Sequence, residues 1–129
     1  MRILLVIFLL NTTFAIAQKV SLNEYKSDAD TTKNIVNRSL FSDSLSSSFY
    51  LIINYEVKSH KHLQHSEHVY IISGEGIMHL GDSVFNVKHG DFIFIPKNTP
   101  HRLKVTQKPL KCLSIQSPYF DGTDRVMLE

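Results

Sequence analysis

Turn-forming residues recur about every eight to twelve positions along most of this chain, and short apolar or alternating segments fill the intervals. Glycine, proline, asparagine and aspartate end strands and form tight turns, so their spacing limits the length of each regular element. Beyond the apolar N-terminus, no long helical period of apolar residues appears. The pattern therefore predicts an all-β sandwich or barrel.

Segments with alternating or continuous apolar residues predict the strands. They are Gln18–Tyr25, Ile35–Phe41, Phe49–Val57, His68–Gly74, two short strands within Gly76–Val87, Phe92–Pro96, His101–Val105 and Pro109–Gln116. Gly81–Asp82 predicts a hairpin turn. Polar segments predict loops at Lys26–Asn34 and Ser42–Ser48, and turns at Lys88–Asp91 and Lys97–Pro100.

The N-terminus has the pattern of a secretory signal peptide. Arg2 precedes the apolar segment Ile3–Leu10, and Ala15–Ala17 has the small-x-small pattern of a cleavage site before Gln18. A membrane anchor would need roughly 20 apolar residues, and Asn11–Thr13 interrupts the stretch too early. We therefore predict a secreted or periplasmic protein that has no membrane contact after cleavage.

Removing 17 residues from the 129 leaves a mature chain of 112, the size of one domain. We divide the chain into a signal peptide (1–17), N-terminal strands and loops (18–48), and a barrel core with a C-terminal tail (49–129). Arg2 is one of 14 basic residues, so 13 basic and 12 acidic side chains remain. This balance gives no electrostatic reason for binding nucleic acid.

Cys112 is the single cysteine, so the chain forms no intramolecular disulfide. It lies within the alternating segment Pro109–Gln116, which predicts a buried thiol. An intermolecular disulfide and a homodimer both stay open from the sequence.

Four of the seven histidines lie in the nine residues from His60 to His68. On a strand, His60 and His62 point to the same face, where two imidazoles suit a metal ion. If the next strand pairs with theirs, Glu67 can turn back toward them, and His101 opens a later strand after a turn. The alternative is that these histidines are solvated residues on an edge strand.

Two motifs in this region resemble those of the cupin family. The first reads His60-Lys-His62, four residues, Glu67, six residues and then Gly74. The second places Gly90, Pro96 and His101 at the family's spacing within the stretch GDFIFIPKNTPH. Three positions depart from the family pattern, and none of them is a ligand position: they are Asn54, Asn98 and Val105.

This resemblance implies a small antiparallel double-stranded β-helix, the jelly-roll barrel of two packed sheets. It also carries the family's metal ligands onto His60, His62, Glu67 and His101. Three neutral imidazoles and one carboxylate form a site suited to one divalent Fe, Mn, Ni, Co, Cu or Zn ion. With four protein ligands, an octahedral ion keeps two positions open for other molecules.

The remaining histidines have other expected roles. His65 lies in the turn before Glu67 and is expected at the rim or as a hydrogen-bond donor behind the ligands, although it could replace one of them. His68 is expected to face away from the site, and His89 is expected to be solvated. For His79 the sequence allows two orientations, toward the pocket or toward solvent.

Two functions are consistent with the sequence. The protein is either a metal-dependent enzyme acting on a small molecule, such as a dioxygenase or isomerase, or a non-catalytic protein that binds a sugar or another metabolite. The fold does not distinguish them, because one fold hosts many chemistries. An enzyme should show a polar group beside the metal that moves protons, for which His65 and His79 are the candidates.

Overall fold

The computed structural model describes residues 17–25 and 32–129. Residues 1–16 of the predicted signal peptide and residues 26–31 of the predicted loop Lys26–Asn34 lie outside the described residues. Within the described part of the chain, no helix has the length and apolar character needed to cross a membrane.

The described chain consists almost entirely of antiparallel strands, which confirms the predicted fold class. A short 3-10 helix at Leu22–Tyr25 precedes them. The strands are β1 (Ile35–Ser42), β2 (Ser47–Ile53), β3 (Glu56–Lys61), β4 (Ser66–Leu80), β5 (Ser83–Lys88), β6 (Phe92–Ile95), β7 (His101–Ser117) and β8 (Val126–Met127).

The two long strands, β4 and β7, each bend and contribute to both faces of the barrel. Their paired halves that contain Glu67 and Gln116 lie in one sheet, in the order β1-β2-β7-β4-β6. Their other halves lie in a second sheet, in the order β8-β3-β7-β4-β5. Two sheets that share bent strands form the double-stranded β-helix, the jelly-roll arrangement that the sequence predicted.

The bend in β4 lies at a series of register shifts between Ile71 and Gly76. Gly74 has a φ of +81°, and a Cβ at this position would lie 2.6 Å from both the Leu110 Cα and the Pro109 carbonyl oxygen. Only glycine accommodates this combination of left-handed backbone and close backbone approach. The bend lets one strand serve both sheets.

The hydrophobic core lies between the two sheets. Its buried members are Ile53, Ile71, Met78, Val87, Ile93, Ile95, Leu103, Leu110 and Cys112. The thiol of Cys112 is therefore buried, as predicted. A smaller cluster lies outside the first sheet, where Leu22 and Tyr25 pack against Val36, Tyr50 and Ile52.

The predicted strand at Gln18–Tyr25 is wrong, because Leu22–Tyr25 forms the 3-10 helix. Residues three apart lie on the same side of such a helix, which lets Leu22 and Tyr25 pack together on the first sheet. The ring of Tyr25 stacks on that of Tyr50 with centroids 5.7 Å apart. Tertiary packing thus overrides the alternating pattern of this segment.

Other predicted boundaries also change. The predicted strand Phe49–Val57 is two strands, because Asn54 breaks it and donates a side-chain hydrogen bond to the Lys33 carbonyl at 2.7 Å. Conversely, segments that were predicted as separate strands join to form the long strands β4 and β7. The predicted strand Ile35–Phe41, the hairpin at Gly81–Asp82 and the turn at Lys97–Pro100 are confirmed.

Candidate metal centre

Three histidines meet on the inner side of the second sheet. His60 lies near the end of β3, His62 follows that strand, and His101 begins β7 directly opposite His60. One ring nitrogen from each lies within 4.8 Å of the others. Their exposed fractions are 4%, 3% and 4% for His60, His62 and His101, so the group is almost completely shielded from water. The solvated edge-strand alternative is therefore wrong.

Backbone carbonyl groups orient all three rings. Each Nδ1 lies at hydrogen-bond distance from a carbonyl oxygen, which fixes the tautomer that carries its proton on Nδ1 and leaves Nε2 as the free lone pair. For His60, His62 and His101, these oxygens belong to Lys58, Asp124 and Thr99, at 2.8, 2.5 and 3.0 Å respectively.

The Nε2 atoms of His62 and His101 are buried and have no hydrogen-bond partner among the described residues. Buried polar atoms are nearly always paired, and an unpaired one costs free energy. A divalent ion accepting these lone pairs would supply the missing partner. The three residues therefore fit a metal ion, in agreement with the predicted class of cofactor, and the identity of the ion stays a prediction.

Glu67 reaches this group from the opposite sheet. Its Oε2 lies 3.6 Å from the Nε2 atoms of both His62 and His101, and its Oε1 accepts a 2.5 Å hydrogen bond from the Ser114 hydroxyl. Glu67 does not reach the histidines through direct pairing of its strand with that of His60, the route that the sequence left open, because among the described strands β7 lies between β3 and β4. The four predicted ligands are thus close in space, and their assignment as ligands stays a prediction.

The charges around the site suit a cation. Burial alone would raise the pKa of Glu67, but the nearby rings of His101 and His62 and the hydrogen bond from Ser114 outweigh it and lower that pKa well below the usual value. Burial and the neighbouring His101 lower the pKa of His60 to about 4. Burial also opposes protonation of His62, but the nearby Glu67 and Asp124 leave its pKa raised. At neutral pH the group therefore presents a carboxylate beside a neutral His60.

His65 lies behind the site and has no free ring nitrogen. Its Nδ1 lies 2.5 Å from the Asp124 carboxylate, and its Nε2 lies 2.8 Å from the Tyr119 carbonyl oxygen. Because both nitrogens are used, the alternative that His65 replaces a ligand is not supported. It holds Asp124, whose carbonyl in turn orients His62.

The other histidines face away from the site. His68 packs against the rings of Phe92 and Phe94 on the outer surface. His89 is exposed in its turn, as predicted. The neighbour of His79, Met78, points into the core, so His79 points outward, where its Nδ1 lies 3.5 Å from the Arg102 guanidinium.

A C-terminal strap, residues 118–129, closes over the site, and sequence reasoning assigned it no role. Its strand β8 pairs with β3 at His60. The ring of Phe120 packs edge-on against those of His62 and His65, at centroid distances of 5.4 and 5.1 Å. Asp124 accepts hydrogen bonds from the backbone of three consecutive residues, Leu63, Gln64 and His65. The sequence carries no local signal for these contacts.

Ser114 and Gln116 were also missed, although a signal existed. They continue the inward-facing alternation of Leu110 and Cys112, so two polar residues occupy positions that the pattern assigns to the core. Polar residues at such positions indicate either a buried network or a binding site.

The group of three histidines opens into a cavity of about 300 Å³ between the sheets. Hydrocarbon side chains form most of its wall, including Leu51, Val57, Val69 and Ile93. Polar groups are concentrated near the histidines. A mostly apolar cavity with a few convergent polar groups is the usual form of a small-molecule site.

Comparisons with known proteins agree with this architecture. Residues 52–116 match the family described as Cupin domain. Over 71 residues, 54% of this chain, the sequence is 41% identical to an uncharacterized protein of Methanocaldococcus jannaschii. The matched region spans 57% of that relative's length.

Two solved structures share the fold. An uncharacterized protein of Klebsiella pneumoniae with a double-stranded β-helix domain superposes with a TM-score of 0.72 at 19% identity, covering 88% of this chain and 99% of that one. A variant of Streptomyces Pac13 with uridine superposes with a TM-score of 0.67 at 16% identity, covering 74% and 79%. At these identities the likeness shows the fold alone. From the sequence match and this architecture, the chain belongs to the cupin domain family.

Proposed function

We propose that this protein is an exported cupin that binds one divalent transition metal and acts on a small molecule held beside it. The proposed ligands are His60, His62, Glu67 and His101. The reaction class we favour is that of a dioxygenase or an isomerase. The proposed export depends on the N-terminal signal pattern, and the proposed metal depends on the geometry of the centre.

One observation carries the proposal. The buried Nε2 atoms of His62 and His101 lack hydrogen-bond partners and lie at equal distances, 3.6 Å, from the same oxygen of Glu67. Two lone pairs and a carboxylate oxygen converging on one point form a poor hydrogen-bond network but a good set of metal donors.

The chain's own residues prepare the site for such an ion. Carbonyl groups hold the rings with Nε2 facing inward, and the Ser114 hydroxyl fixes the carboxylate of Glu67. Phe120 covers the histidines and limits the access of water. When bound, a divalent ion would polarise a substrate oxygen and stabilise negative charge that develops on it.

Metal content tests the ligand assignment. We expect protein purified from its own secretory compartment to contain one transition-metal ion per chain, and an alanine substitution at any of the four ligands to remove most of it. The matched controls His68→Ala and His89→Ala should keep the ion, because both side chains face away. His65→Ala should weaken binding less than His62→Ala. Loss of metal in His65→Ala together with full metal in Glu67→Ala would contradict the assignment.

Acid and added ligands test whether the ion does more than stabilise the fold. Protons compete for histidine lone pairs, so occupancy should fall below about pH 6. Since the buried apolar core contains no histidine, the β-sheet circular dichroism should persist after metal loss. Azide should change the spectrum of the cobalt-substituted protein at neutral pH. Unfolding in step with metal loss, without any response to azide, would indicate a structural ion.

A second candidate function is metal-dependent binding without turnover. Among the described residues that line the cavity, the titratable side chains besides the four ligands are Cys112 and two arginines. Burial raises the pKa of the Cys112 thiol to about 12, so it stays protonated. Neither candidate for proton transfer, His65 or His79, lines the cavity. Turnover of small molecules by the metal-loaded protein would distinguish the two functions, and uridine is one probe because Pac13 was solved with it.

A further inference from the structure

We propose that the cavity takes a small hydroxycarboxylate, with Arg125 pairing with the carboxylate, Gln116 accepting a hydrogen bond from the hydroxyl, and the hydrocarbon wall packing against an aliphatic body. This inference rests on the proposed metal site and names the class of molecule that would occupy it. Two independent features carry it: the charge of the lining and an unpaired amide oxygen.

The charge of the lining favours an anion. Of the described residues that line the cavity, Glu67 is the one carboxylate and Arg125 is cationic, whereas the side chain of Arg102 is exposed and lies beside the outward-pointing His79. A bound divalent ion would add two further positive charges. Excess positive charge inside an apolar cavity is costly unless an anion accompanies it, because the low dielectric constant strengthens repulsion and removes hydration.

Arg125 is the cation placed to meet that anion. The strap brings it to the cavity wall, with its Nη2 3.5 Å from Nδ1 of His60. Among the described residues, no carboxylate lies within ion-pair distance of its guanidinium. A guanidinium presents a planar pair of donors that matches a carboxylate, so a ligand with this group would satisfy it directly.

Gln116 supplies the second feature. Gln116 lines the cavity and is 7% exposed, and its Oε1 is buried without a hydrogen-bond partner among the described residues. It lies opposite Glu67 in the β4–β7 pairing. A buried acceptor without a partner costs free energy, so a ligand that donates a hydrogen bond to it is favoured, and a hydroxyl group is the simplest such donor.

The volume and the apolar wall of the cavity limit the size and the hydrocarbon part of the ligand. A volume of about 300 Å³ is at the low end of small-molecule sites, which span about 300–1,000 Å³. The walls formed by residues such as Leu51 and Val69 would contact a short aliphatic chain. A six-carbon hydroxy acid is a suitable probe of this combination.

Calorimetric titration with three six-carbon probes tests the proposal. The probes are 2-hydroxyhexanoate, hexanoate and hexanamide, titrated into both metal-loaded and metal-stripped protein. We expect 2-hydroxyhexanoate to bind most tightly and the uncharged amide most weakly. Arg125→Gln should weaken both acids at least about tenfold, the equivalent of one charge-assisted hydrogen bond. Gln116→Leu should abolish the preference for the hydroxy acid over hexanoate.

Arg38→Gln is the matched control. Arg38 lies opposite Tyr50 on the outer face of the first sheet, so this substitution makes the same change of charge away from the cavity. It should leave all three affinities unchanged. Equal binding of hexanamide and hexanoate, or unchanged acid binding in Arg125→Gln with its metal content intact, would overturn the inference. If the wild-type protein takes no metal, the proposed function fails instead, and the metal-stripped titrations still report whether Arg125 and Gln116 select the acid.

Discussion

Replacing Asp124 by alanine should release the C-terminal strap from the proposed metal centre. The Asp124 carboxylate accepts hydrogen bonds from the backbone nitrogens of Leu63, Gln64 and His65, at 3.0, 2.7 and 3.2 Å, and from the His65 ring at 2.5 Å. Its carbonyl accepts the bond that orients His62. One residue therefore fixes both the turn before Glu67 and the ring of a proposed ligand.

The expected loss of stability follows from these bonds. Each hydrogen bond to a charged acceptor contributes about 1.5–3 kcal/mol. The four bonds share one carboxylate and are not additive, and water will replace some of them, so we expect Asp124→Ala to lower the free energy of unfolding by about 2–4 kcal/mol. The side chain is only 10% exposed, which limits that replacement.

Metal affinity should fall as well, because the carbonyl that orients His62 would no longer be held in place. Loss of an outer-shell partner typically weakens metal binding about 10- to 100-fold. Urea unfolding of the metal-stripped protein measures the first effect, and competition with a chromogenic chelator measures the second. Measuring both separates a general loss of stability from a specific effect on the ligand.

Asp121→Ala is the matched control. The substitution lies in the same strap and removes the same charge, but the Asp121 carboxylate is exposed, and among the described residues it accepts hydrogen bonds only from the backbone nitrogen and hydroxyl of Thr123. It should change neither measurement appreciably. If the two variants behave alike, or if Asp124→Ala keeps wild-type metal affinity, the strap does not position His62 and the reasoning is refuted.

Three further predictions concern pH, the β4 bend and export. The pKa of His60 is about 4 in the folded protein, below its ordinary 6.5, so the unfolded chain binds this proton first and the free energy of unfolding of the metal-stripped protein should fall by up to about 3 kcal/mol between pH 6.5 and pH 4. The raised pKa of His62 offsets part of this loss. Urea unfolding at both pH values should show a smaller loss in His60→Gln than in wild type. Gly74→Ala should lower the free energy of unfolding by about 3 kcal/mol, since the new Cβ would lie 2.6 Å from backbone atoms. Gly90→Ala should lower it by only about 1–2 kcal/mol, because Gly90 has a φ of +91° but open space around it. Equal effects of the two substitutions in thermal unfolding would contradict this prediction. The intact mass of the exported protein should correspond to a chain beginning at Gln18, and a retained Met1–Ala17 segment would refute the predicted cleavage.

The barrel and the histidine cluster were predictable because their signals are local. A period of two in segments such as His101–Val105 and turn residues such as Gly81–Asp82 favour antiparallel strands whatever the rest of the chain does. The spacing of His60, His62 and Glu67 is likewise a local property. Sequence reasoning failed at Leu22–Tyr25, where packing against Tyr50 replaced the expected strand with a 3-10 helix.

The surroundings of the site came only from the tertiary structure. Whether Glu67 reaches the histidines from a neighbouring strand or from the opposite sheet depends on the pairing of β4 and β7, which bend at positions set by long-range packing such as that of Gly74 against Leu110. The hydrogen bond from His62 to the Asp124 carbonyl joins residues 62 positions apart. By its pattern the chain specified which side chains could bind a metal. Only folding, which brings distant segments together at the cost of chain entropy, determined what orients, covers and charges that site.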